Sequence, residues 1–174
     1  MLAHLVTTFD LQVLGRLVAA TLLGGVIGYE REKAGKIAGL RTHTLVSLGS
    51  ALFTVISVLL YERLPSISGV TGYDYHIIAN IIVGIGFIGA GAIMRNGDHV
   101  SGTTTAASLW VAAAIGMAAG LGLFKEAFAT TLLVYAVLAG LWAIEQRIRS
   151  SVHYRRQHPH EAAQSASDQQ GAAS

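Results

Sequence analysis

The sequence predicts an all-α fold, a polytopic bundle of about five membrane-spanning helices, and three observations lead there. Five apolar runs, residues 11–28, 42–60, 76–94, 104–123 and 127–144, are each 18 to 20 residues long. A helix of that length crosses a hydrocarbon core of roughly 30 Å. Arg16 is the only Asp, Glu, Lys or Arg in all five, so the polar outer faces of a soluble bundle are missing. Finally, Lys and Arg segregate. Nine (Arg31, Lys33, Lys36, Arg41, Arg95, Arg147, Arg149, Arg155, Arg156) fall on one side of the alternating topology, and two (Arg63, Lys125) on the other. Enrichment of Lys and Arg in short cytoplasmic loops puts the N-terminus outside and the C-terminus in the cytoplasm.

Composition agrees. Charged residues are 13% of the chain, against roughly 25% in an average soluble domain, too few to cover a soluble surface. The 20 glycines suit closely packed membrane helices, and the absence of Cys excludes disulfides and thiolate chemistry. A net charge of +2 gives no argument for nucleic acid.

Residues 1–10 read as an external N-terminus; lacking Lys and Arg, they do not make the positive start of a cleavable signal peptide. In the first run, Arg16 either snorkels to the outer surface or pairs with Asp10, Glu62 or Glu126. The glycines of Gly24-x-x-x-Gly28 form a small-residue contact pattern. The connector 29–43 (YEREKAGKIAGLRTH) carries Glu30, Arg31, Glu32, Lys33, Lys36, Arg41, Thr42 and His43, more than a topology signal needs.

In the second run His43, Ser47, Ser50, Thr54 and Ser57 recur on one helical face. Such a stripe is most simply a packing seam, with a polar pathway as the sharper alternative. Residues 65–75 and 96–102 are turn-rich connections. The third run places Asn80 one turn in, where an amide needs partners and should face the bundle interior. Its Gly84, Gly86, Gly89 and Gly91 contain a G-x-G-x-x-G match. That match carries no nucleotide-binding meaning inside a membrane run, where glycines serve packing or bending. Thr103, Thr104 and Thr105 open the fourth run, most simply as a cap, and Gly116-x-x-x-Gly120 closes it with a second contact pattern. Residues 11–145 thus form the membrane domain, and 146–174 a polar cytoplasmic tail reading as disordered towards its end.

Enzyme constellations are absent: there is no H-E-x-x-H, G-x-S-x-G or P-loop, and Asp74 and Asp98 fall on opposite sides. We expect no catalytic residues, no metal site and no cofactor; His153, His158 and His160 in the tail are too loosely held to change that.

Four ordered stretches carry a resemblance: residues 24–32 (GGVIGYERE), 38–46 (AGLRTHTLV), 82–91 (IVGIGFIGAG) and 104–110 (TTAASLW). Together they resemble the MgtC/SapB family of bacterial inner-membrane proteins over about residues 10–145. The resemblance implies a five-helix, multi-pass inner-membrane domain linked to growth in low magnesium and, in pathogens, to virulence inside macrophages. It also implies inhibition of the F-type ATP synthase and an influence on membrane potential. Glu30, Arg31, Arg41, Thr42, His43, Asn80, Thr104 and Thr105 stand in its motifs as functional candidates, with Gly24, Gly28, Gly84, Gly86, Gly89 and Gly91 as packing or bending positions. Many similar proteins continue into a soluble C-terminal domain, where this sequence is expected to have only its 30-residue tail after Ile144.

Two functions compete. One is a regulatory protein, alone or as a homo-oligomer, that binds another membrane complex within the lipid bilayer. The other is a small ion or solute transporter with a polar path along the second and third helices.

Overall fold

A computed structural model describes residues 2–63, 76–96 and 99–157. The turn-rich segment at 65–75, with Asp74, and the tail positions His158, His160 and 161–174 lie outside the described residues, as does Asp98. Five helices and one hairpin follow in order: α1 (Leu2–Lys33), α2 (Leu40–Arg63), α3 (His76–Ala92), β1 (Met94–Asn96), β2 (His99–Ser101), α4 (Thr103–Gly120) and α5 (Phe124–Gln157). Four of them, over Leu11–Lys33, Leu40–Tyr61, Thr103–Gly120 and Phe124–Leu141, are long and apolar enough to cross a membrane. The chain is an all-α polytopic membrane protein.

The third helix corrects the expected length. It stops after 17 residues, at Ala92, because the chain turns there into an antiparallel hairpin pairing Met94 with Ser101 and Arg95 with Val100. Gly102 then adopts φ 85°, and a Cβ there would run into the Ala92 carbonyl. Only glycine fits that turn. Both ends of the chain are more helical than the sequence suggested. α1 starts at Leu2, inside the expected external segment, and α5 continues to Gln157, well into the expected tail. An unbroken helical hydrogen-bond ladder needs no apolar face beyond the membrane run, so hydropathy alone could not place these ends.

Helix termini are closed by the backbone itself. At the end of α1, Gly35 takes φ 64°, and the N–H groups of Gly35 and Lys36 return to the carbonyls of Glu32 and Arg31, both at 3.0 Å. At the end of α4, Gly122 takes φ 83°, and the N–H groups of Gly122 and Leu123 return to Ala119 and Ala118, both at 2.9 Å. Both are Schellman turns, which leave few carbonyls exposed to hydrocarbon. α4 begins differently from expectation. Its N-cap is Gly102 with no side-chain bond, so the threonines there do not cap.

Residues 1–135 form one compact unit and 136–174 a second, in which residues 136–157 are helical. Within the first unit, α1, α2 and α4 pack mutually, and α3 lies chiefly against α4. The hydroxyl stripe of α2 faces this centre: His43, Ser47 and Thr54 are fully buried, and Ser50 and Ser57 nearly so. It is a packing seam. Ser47 Oγ donates to the Ala20 carbonyl of α1 at 2.8 Å, and Thr54 turns back to its own helix at Ser50.

Glycines make the close approach possible. A Cβ on Gly28 would lie 2.7 Å from Leu40 Cα, and one on Gly24 would strike the Ser47 side chain. Across the other face, a Cβ on Gly116 would meet the Ser47 backbone, and one on Gly120 would lie 2.7 Å from the Ala51 carbonyl oxygen. On α3, where the glycines are expected to serve packing or bending, close approach is largely absent. Gly89 makes ordinary contact with Ala106, but Gly84, Gly86 and Gly91 have nothing within 4 Å of a modest side chain.

This contrast is measurable. Gly120→Val should lower stability by about 1–3 kcal/mol through overpacking. Gly86→Ala should be neutral or raise it by up to about 1 kcal/mol, as expected for a helical glycine with free space. Thermal unfolding of the purified variants in detergent checks both, and equal shifts would contradict the packing described.

Candidate functional site

The charged connector folds onto the end of the bundle. Glu30 and Arg31, the last charged pair of α1 to be buried, face inward at 8% and 2% exposure. Neighbours in a helix do not share a face, yet these side chains converge in a two-point ion pair. Arg31 Nη2 donates to Glu30 Oε1 at 2.7 Å, and Arg31 Nε donates to Glu30 Oε2. A guanidinium matches both oxygens of a carboxylate, so the pair is neutral as a unit and tolerates burial. Glu32, on the next face, accepts the Leu40 N–H at 3.0 Å and thereby caps the start of α2. A Cβ on Gly39 would collide with the Glu32 side chain, which explains the glycine there.

His43 joins the helices. One ring nitrogen, Nδ1, lies 2.9 Å from the Gly39 carbonyl, and Nε2 lies 2.9 Å from Ser108 Oγ on α4. A carbonyl only accepts, so Nδ1 carries a proton. Ser108 Oγ is also 2.8 Å from the Thr105 carbonyl, so its single proton has two acceptors. With the neutral ring, the hydroxyl proton points at Nε2; with an imidazolium, it points at Thr105. The neutral ring thus has both nitrogens hydrogen-bonded, as its full burial requires.

Arg16 finds a partner that charge counting missed. Its Nη1 donates to the Gly120 carbonyl at 3.1 Å, the oxygen at the C-terminal end of α4 that the Schellman turn leaves over. A cation at a helix C-terminus also meets the negative end of the helix dipole. Of the acids considered as partners for Arg16, only Glu126 has a described side chain, and no ion pair joins the two; Asp10 and Glu62 lie outside the described side chains.

The remaining candidates separate from this cluster. Arg41, Thr42 and Asn80 line an open groove of about 840 Å³ between α2 and α3, together with Gly49, Ser50 and Gly84. Asn80 is exposed there and has no hydrogen-bond partner among the described residues, contrary to its expected place in the interior. Thr105 is buried beside Ser108, whereas Thr104 points outward and joins neither group. Ser108 was not among the residues singled out from the sequence. Its spacing of three from Thr105 was the available signal, since it puts a hydroxyl on the same α4 face. No group of three or more His, Cys, Asp or Glu that could hold a metal occurs among the described residues.

Comparison with known proteins points one way. The model of the MgtC family matches residues 17–147. The chain is 44% identical over 132 residues to "Protein MgtC" of Salmonella typhimurium strain LT2, covering 76% of this chain and 53% of that protein. It is 42% identical over 123 residues to the "Putative magnesium transporter YhiD" of Escherichia coli K12, covering 71% and 57%. "Protein MgtC" of Brucella abortus is 44% identical over 130 residues, covering 75% and 51%. The chain spans about half the length of the curated relatives it matches. No solved structure matches.

Arg31→Ala should strip the buried Glu30 of its counter-charge and cost about 3 kcal/mol of stability. Replacing both residues by Leu should restore most of that loss, because an apolar pair needs no compensation. Unfolding of the single and double variants decides: a double variant as unstable as Arg31→Ala would contradict the reading.

Proposed function

The chain belongs to the MgtC family, and from that membership we propose that it is a magnesium-related regulatory protein of the bacterial inner membrane that acts by binding another membrane complex. Its N-terminus lies outside and its C-terminus in the cytoplasm, following the Lys and Arg asymmetry. It works without catalytic residues. The observation that carries the binding reading is the closed seam. His43, Ser47 and Thr54, the polar groups best placed to line a path through the bundle, are fully buried. They are spent on Gly39, Ser108, Ala20 and Ser50, with the backbone of α2 against Gly116 and Gly120. Polar groups already satisfied in this way offer little to a passing ion, whereas the outward faces stay available to a partner. Resemblance makes the F-type ATP synthase the first partner to examine.

A second reading, a small transporter, is favoured by one specific feature. Asn80 faces the α2–α3 groove without a hydrogen-bond partner among the described residues, and the Ser50 side of α2 lines the same groove. The relative named a putative magnesium transporter points the same way.

Affinity purification from native membranes of cells grown in low and high magnesium separates the two. The binding reading expects one reproducible membrane partner, and its absence in both conditions counts decisively against it. Proteoliposome flux of Mg²⁺, K⁺ and H⁺ above background, lost in Asn80→Ala, would establish the transporter instead. Arg41→Ala should abolish complementation of growth in low magnesium while leaving membrane insertion intact; full complementation would remove Arg41 from the working surface.

A further inference from the structure

Arg41 stands at the meeting point of two apolar grooves. On one side lies the α2–α3 groove already described. On the other, a groove of about 700 Å³ runs between α1 and α2, lined by Leu22, Val26, Tyr29, Leu40 and Thr44 among others. Arg41 and Leu45 line both, forming the ridge between them.

We propose that an anionic phospholipid binds astride the start of α2, its phosphate on Arg41 and its acyl chains in the two grooves. Depth fits first. Arg41 is in the first turn of α2, at the end of the span Leu40–Tyr61, which places its guanidinium at the headgroup level. The α2–α3 groove extends along α2 from Arg41 to Phe53. At the helical rise of 1.5 Å per residue that is about 18 Å, close to the roughly 15 Å of one leaflet's hydrocarbon. A lipid chain hanging from a headgroup at Arg41 therefore fills the groove and stops.

Charge fits next. Arg41, Lys33 and Lys36 are exposed and have no ion-pair partner among the described residues. The acids beside them are already engaged, Glu30 by Arg31 and Glu32 by the Leu40 N–H. The bundle end is left with uncompensated positive charge, which attracts anionic lipid. Arg41 offers the two-pronged donor geometry that suits a phosphate. Tyr29 brings a phenol to the same mouth.

Shape fits last. Gly49 and Gly84 line the α2–α3 groove, and a Cβ at either would meet nothing within 4 Å. These glycines are not closing a helix contact. They leave a channel open along its length, which a chain of methylenes fills.

Native mass spectrometry of the whole chain, released from micelles holding equal phosphatidylglycerol and phosphatidylcholine with identical acyl chains, tests this. Wild type should retain phosphatidylglycerol about tenfold over phosphatidylcholine, and Arg41→Ala should reduce that preference about tenfold. Because Arg41 is exposed and unpaired, this variant should fold normally. Gly84→Leu, or Gly49→Leu if the former is not monodisperse, should lower retention of both lipids while leaving the preference for the anionic headgroup. Inorganic phosphate at matched concentration should displace neither. An undiminished preference in Arg41→Ala overturns the headgroup site. Unchanged retention in the glycine variants overturns the groove. Displacement by inorganic phosphate alone marks an anion site and overturns the lipid.

Discussion

In a hydrocarbon core there is no water to satisfy a buried polar group, and the buried interior of this bundle answers to that constraint. His43 is its clearest expression: a fully buried imidazole that holds Gly39 with one nitrogen and Ser108 with the other. Through it the start of α2 is fixed to the second turn of α4. Arg16 does the same at the opposite end of α4, where its guanidinium donates to the Gly120 carbonyl. The buried Glu30–Arg31 pair completes the set by neutralising itself.

Small residues let those bonds form. Ser47 reaches the Ala20 carbonyl because Gly24 lets α1 come near, and Gly116 and Gly120 let α4 lie on the backbone of α2. Glycine does opposite things in one chain. On α1 and α4 it is close approach, whereas on α3 Gly84, Gly86 and Gly91 face open space. The interior triad of α1, α2 and α4 is therefore closed and internally satisfied, while α2 and α3 present an open groove to the surroundings.

Much of this was legible in the residues. Runs free of charge announce spans because a charged side chain in lipid is costly, and the α2 stripe announces a seam because its spacing matches a helix. The 17-residue limit of α3 was hidden: Ile93 and Met94 are as apolar as what precedes them, and the hairpin that diverts them depends on pairing with residues further along. Helical ends beyond the membrane runs were hidden too, since polar helix carries no hydropathy signal. Within the site, the sequence marks Glu30, Arg31 and His43 as unusual, but not that Ser108 answers His43 across 65 positions. Nor could it tell the glycines that touch backbone from those that border a groove. Pair identity over long separations is set by packing, which composition and periodicity do not encode.

The central claim is that the His43–Ser108 contact is a satisfied bond holding α2 to α4. A double-mutant cycle with His43→Phe and Ser108→Ala, read by reversible unfolding in lipid bicelles, measures it directly. The account predicts a coupling of about 1 kcal/mol, with the double variant less destabilised than the sum of the singles. Additivity within about 0.3 kcal/mol would contradict it.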